Sequence, residues 1–199
     1  MAVADILITP ARVFYAPVGE PLPDADSVAY GEEWGGNWED LGYTLTPVTV
    51  NGTKEKFELF VEQLSNPVKS KITSETVAVE TTLAEITGAN LQLGFGGSVT
   101  TTPAGATSVG TTVLEAGGET TLEQYAFGYE GEYVDDDENS LAARLFIFIG
   151  EPVLAGQLQF AKAAAMGIPL RVDAKADTAK AIGKQLIKWE IVTAPALGT

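Results

Sequence analysis

Apolar and charged side chains alternate along residues 54–63, with Phe57, Leu59 and Val61 on one face and Lys56, Glu58 and Glu62 on the other. A period of two belongs to a β-strand, whose successive side chains point to opposite sides of a sheet. Further segments of this kind run over 11–16, 68–80, 142–150, 156–162, 168–174 and 187–193, in a chain well supplied with Thr, Val and Gly. Strands in that number predict a mainly β fold, an antiparallel sandwich or barrel. One face of 54–63 is expected to be wet. Around Leu145, Ile147 and Ile149 the intervening Phe146 and Phe148 are apolar too, which predicts a strand buried on both faces and central in its sheet.

One α-helix is expected to flank the sheets. Thr82-Leu83-Ala84-Glu85 has capping-box spacing, Leu83, Ile86, Asn90 and Leu91 follow at helical intervals, and Gly94, Gly96 and Gly97 stop the run, which together predict a helix over 82–91. Residues 177–188 carry Gly183 and read equally as a short helix or a loop. Residues 18–37, rich in Pro and acids, and 97–121, a Thr/Gly tract with Pro103 and Gly117-Gly118, read as loops or edge hairpins. No solenoid-length repeat and no strong linker divides the 199 residues, so one domain, 1–199, with projecting arms is expected.

Composition removes several functions. Without Cys there is no disulfide frame, thiolate metal site or cysteine nucleophile; without His there is no Ser-His-Asp triad, His-ligated zinc or histidine base. Absent Cys carries no information about redox compartment. With 27 Asp plus Glu against 12 Lys plus Arg, the net charge is −15. That argues against a nucleic-acid binder, which gains its affinity by neutralising phosphates. The stretch 1–12 has Asp5 inside a short apolar run and no basic region before it. It reads as neither a signal peptide nor a spanning helix, so a soluble product of the cytoplasm is expected.

Charge is unevenly spread. Residues 115–138 hold nine acids and no base, whereas 162–188 hold six of the twelve bases against Asp173 and Asp177. A subunit with one acidic and one basic side can meet a copy of itself head to tail, building rings or filaments. The alternative is two solvated faces. Asp135, Asp137 and Asn139 match the first three ligand positions of a calcium loop, but Ser140 replaces the required Gly and Phe146 the bidentate Glu, so a solvated acidic turn is the first reading. Glu190, beside Trp189, is the one carboxylate singled out for a hydrolase, against a surface glutamate. Gly94-Phe95-Gly96-Gly97 follows a helix rather than opening one, and reads as a helix stop rather than a phosphate loop. Trp34, Trp38 and Tyr43 offer a sugar platform or, more simply, an aromatic plug at the end of a sandwich.

Three segments in order resemble the tail tube proteins of long-tailed, non-contractile bacteriophages. These are Trp38-Glu39-Asp40-Leu41-Gly42-Tyr43-Thr44; Asn66-Pro67-Val68 leading through Thr76-Val77-Ala78-Val79-Glu80 into Leu83-Ala84-Glu85-Ile86-Thr87; and Ile168-Pro169-Leu170-Arg171-Val172-Asp173-Ala174. The resemblance implies a virion structural protein with no cofactor and no catalytic residue. It implies a small sandwich or barrel with one helix, an extended N-terminal segment and a long hairpin arm at about 43–68. Such subunits assemble as six-fold rings whose inner sheets join into a barrel, and the rings stack into a hollow tube through which DNA passes without specific binding. Tape measure, tail tip and terminator proteins are the implied partners, with no membrane. Six copies at −15 each carry −90 per ring, and an acidic bore repels a polyanion. Glu58 and Glu62, with Lys69 and Lys71 opposite, are the lumen-facing candidates, the alternative being the tube exterior. Trp38, Tyr43, Lys180, Lys184 and Lys188, with Asp135, Asp136 and Asp137, are the candidates for contacts between subunits. The rival reading is an extracellular sandwich adhesin, or a calcium- or carbohydrate-binding module.

Overall fold

The computed structural model describes residues 10–118, 120–135, 138–162 and 165–195. Its strands are β1 (Arg12–Pro17), β2 (Glu39–Asp40), β3 (Thr49–Leu59), β4 (Lys69–Leu83), β5 (Ser98–Thr102), β6 (Thr111–Glu115), β7 (Tyr125–Val134), β8 (Ser140–Leu154), β9 (Ile168–Lys175) and β10 (Ile187–Ile191), with one helix, α1 (Gly88–Phe95), between β4 and β5. All pairings are antiparallel. The main sheet runs β2-β1-β7-β8-β9-β4-β3, with β10 also on β8, while β5 and β6 form a separate hairpin.

The long strand β8 organises the fold. Its first half pairs with β10 (Leu145 opposite Trp189) and its second half with β9 (Pro152 opposite Val172). One edge of a single strand thus serves two wings of sheet. The wings fold onto one another, because Val13, Phe127, Leu145 and Ile147 of one share a core with Val79, Leu83, Leu170 and Val172 of the other, against Leu93 of α1. The result is a β-sandwich with one flanking helix. Phe146 and Ile147, adjacent and both fully buried, confirm that β8 is covered on both faces. Burying each such side chain stabilises the fold by roughly 1.5–3 kcal/mol.

On the opposite face of β1-β7-β8 a second core joins Phe14, Ala16, Ala126 and Phe146 to Trp34 and Trp38. Both tryptophans arrive on the segment 18–38, which crosses this face as a strap. Trp34 stacks on Phe14 with ring centroids 4.0 Å apart and planes within 12°. Gly128 of β7 makes this possible: a Cβ there would lie 2.2 Å from the Trp34 ring. The aromatic pair therefore plugs a sheet face rather than an end of the sandwich.

Two expectations are corrected. The helix starts at Gly88, not at Thr82, because Leu83 is fully buried opposite Ile168 and carries β4 past the predicted cap. Thr87 caps instead, its hydroxyl accepting from the Asn90 N–H at 3.1 Å. The predicted strand over 156–162 lies in no strand, and its Phe160 is 94% exposed. Conversely, β7, whose span lies within the acidic run 115–138, is a strand between β1 and β8. Residues 177–186 form turns rather than a helix.

Candidate assembly surfaces

The β3–β4 hairpin leaves the sandwich. From Lys69 to Thr76 on β4 and from Thr49 to Phe57 on β3 every residue is exposed, so both faces of this ribbon are wet, not one. Register assigns the faces, since directly opposed residues in an antiparallel pair lie on the same side. Phe57 opposes Lys71 and Leu59 opposes Lys69, whereas Glu58 opposes Ser70. Lys69 and Lys71 thus share a face with the apolar pair and do not partner Glu58, whose carboxylate takes Lys56 Nζ at 2.7 Å. Glu62 lies in the turn at the tip, off the polar face of the strand. The four lumen candidates are therefore split between two faces and a turn. A bulge between Glu55 and Lys56 bends and twists the ribbon away from the sheet. Beyond it Phe57, Leu59, Phe60, Leu64 and Ile72 are all exposed. Exposed apolar side chains in that number on an edge hairpin mark an interaction surface.

The sheet face at the root of the hairpin is different. Glu80, Arg171, Val153, Asp173 and Glu151 stand side by side across β4, β9 and β8. Arg171 bonds Glu80 at 3.3 Å and Asp173 at 2.9 Å, and Lys175 bonds Glu151 at 2.9 Å. Burial raises the Glu151 carboxyl, but hydrogen bonds from Lys175 and Gln124 outweigh it and hold it below the ordinary carboxylate range. Exposed pairs of this kind contribute only about 0–1 kcal/mol each. Their consequence is electrostatic: each cation on this face is already tied to a carboxylate.

An exposed apolar hairpin thus stands next to a sheet face whose cations are ion-paired. The family model described as phage tail tube protein matches residues 4–196. The chain belongs to the phage tail tube family. No curated protein matches it. It is a structural subunit of the virion tail, where it assembles with other tail proteins in a tube. No helix among the described residues is long and apolar enough to cross a membrane.

The remaining candidates of this tail tube subunit divide sharply. Trp38 is 7% exposed and donates Nε1–H to Pro21 O at 2.8 Å. It packs in the chain's own core and leaves little surface for the inter-subunit contact expected of it. Tyr43, 82% exposed, has its carbonyl held by Ala84 N–H, just beyond β4, at 2.7 Å while its ring faces solvent. Lys180 lies 4.1 Å over the Phe148 ring, near Asp177, and Lys188 pairs with Glu190. Of the three, Lys184 alone has no ion-pair partner among the described residues. The Lys188 pair also occupies the carboxylate singled out for a hydrolase. Asp135 accepts from Asn139 N–H and Nδ2–H, both at 2.8 Å, closing the β7–β8 turn with Glu138 at φ 63°. Asp136 and Asp137 lie outside the described residues.

Beneath the strap lies a polar node that sequence reasoning did not find. The fully buried Arg144 of β8 donates to Glu130 of β7 at 3.0 Å and to Val28 O at 2.6 Å. Glu130, equally buried, also accepts from Gly31 N–H at 3.3 Å and Trp34 Nε1–H at 3.4 Å. Arg12 joins from the rim, bonding Asp40 at 2.9 Å and Glu32 O at 3.0 Å. The node tethers the strap's carbonyls and its tryptophan to the sheet.

Proposed function

We propose that this subunit forms six-fold rings that stack into the hollow tail tube and conduct DNA during ejection, with neither cofactor nor catalysis. The observation that carries this reading is the exposed apolar hairpin rooted in a sheet whose β2, β3 and β10 borders are open among the described residues. Open borders are an aggregation hazard unless another chain pairs with them, and closing them around a ring removes the hazard. In this reading β3–β4 is the stacking arm.

The bore wall is assigned to the ion-paired face of β4, β9 and β8. DNA is held by free guanidinium and ammonium groups, and Arg171 and Lys175 there are already engaged by Glu80, Asp173 and Glu151. Glu58 and Glu62, proposed for the bore from sequence, sit on the arm beyond the bulge and are left to stacking. At −90 per ring, self-repulsion acts over only about 8 Å at physiological salt. Electron microscopy of the purified protein tests the reading. End-on views should show six-fold rings with a stain-filled centre, whereas solid filaments or another symmetry would overturn it.

A further inference from the structure

Resting on the tail tube reading, we infer that the arm has a built receptor on the next copy: the apolar cleft between the root of β3 and β10. This cleft, of about 140 Å³, is lined by Val48, Val50, Tyr129, Ala143, Leu145 and Trp189. Trp189 opposes Leu145 in the ladder and so points to the core side of the sheet, yet it is 51% exposed. The ribbon that would have covered it turns away as the arm. Tyr129 of β7 is almost fully buried and lines the same cleft. An occupant of this cleft therefore brings apolar side chains, which an extended strand supplies from alternate positions.

The arm fits on three counts. Phe57 and Leu59 stand exposed on one face with Lys69 and Lys71, which have no acidic partner among the described residues. Three residue pairs beyond Gly131 and Ala143 at the cleft wall, β7 and β8 end in the acidic turn carrying Asp135 and Glu138, about 10 Å away at strand spacing. Lysines beside the apolar pair thus meet acids beside the apolar cleft. The contact is also forced to be between copies. Phe57 lies seven residues from Val50 on the same strand, roughly 23 Å at about 3.3 Å per residue, so an arm cannot fold into its own receptor. A contact joining the tip of one copy to the root of the next is heterologous and repeats without closing along the axis, as a stack requires.

The chain has no Cys, so the variant Val50→Cys/Leu59→Cys tests the proposal directly. The two positions are too far apart on one strand for a bond within a chain, since bridged Cα atoms lie within about 7 Å. Oxidised tubes of this variant should give a ladder of multimers on a non-reducing gel, and either single variant should not. Tubes without a ladder overturn the receptor and leave the family reading standing. Failure of the unmodified chain to form tubes at all overturns the reading beneath it. Independently, Trp189→Ala should raise the concentration needed for assembly at least tenfold while leaving the melting temperature of the dissociated subunit within about 2 °C. An unchanged assembly threshold contradicts the docking.

Discussion

Replacing Arg144 by Met is the most informative perturbation of the subunit's own fold. The substitution keeps the aliphatic stem but removes the guanidinium from a site where both it and Glu130 are fully buried. Glu130 is left with Arg12 at 3.5 Å, Gly31 N–H at 3.3 Å and Trp34 Nε1–H at 3.4 Å, all longer than the 3.0 Å bonds it loses. Removing one member of a buried pair costs about 3–5 kcal/mol, because the remaining charge is uncompensated. Arg12 places this case near the lower figure, about 3 kcal/mol. For a chain of this size each kcal/mol moves the melting temperature by about 2–4 °C, so a fall of about 6–12 °C is expected. Because Arg144 also holds Val28 O, the strap should loosen, shifting Trp34 and Trp38 emission to the red below the main transition. The double variant Arg144→Met/Glu130→Leu should recover most of the loss. Among the described residues Arg144 Nη1 has no hydrogen-bond partner, and an unmade buried bond costs about 1–3 kcal/mol that an apolar pair does not incur. Thermal unfolding followed by circular dichroism and fluorescence decides. A single variant within about 1 kcal/mol of the parent, or a double variant worse than the single, would refute the reasoning.

Gly128→Ala places a methyl 2.2 Å from the Trp34 ring and should destabilise by about 1–3 kcal/mol through overpacking; chemical denaturation checks it, and an unchanged midpoint would mean that the strap does not pack there. At alkaline pH, burial first and then Glu39 push the Tyr15 hydroxyl up to about 12, and burial raises Tyr125 and Tyr129 as well. The folded state then holds protons that the unfolded chain releases near 10, so stability is complete below about pH 10 and falls as pH rises toward 12. Ultraviolet titration of tyrosine should show these groups ionising together with unfolding, and independent ionisation in a folded chain would contradict the packing.

The strands most legible in the sequence were those whose burial is uniform along their length. Leu145 to Ile149 is apolar at every position, so its central place followed directly. By contrast β7 carries Tyr125, Phe127, Tyr129 and Tyr133 at alternate positions broken only by Gly131, a strand signal hidden by counting its glutamates as part of an acidic run. The lone base in the apolar run around Leu145 was the matching signal for Arg144: a charge there needs a buried partner, and Glu130 supplies it. The helix start was missed because Thr82 and Thr87 are both competent caps, and the choice was made by tertiary pairing of Leu83 with Ile168. The arm came only with the family resemblance, and its faces were not readable at all. They depend on the register across a bulge, which moved Lys69 and Lys71 to the side of Phe57.

Hydrogen exchange on the assembled and the dissociated protein tests most directly whether copies complete what one subunit leaves open. In the dissociated subunit the arm's amides over 57–68 and the outer edge of β10 should exchange quickly, because they have few buried contacts to restrain opening. Assembly should slow both by at least about a hundredfold while leaving the centre of β8 unchanged. Equal exchange at the arm in the two states would contradict the account.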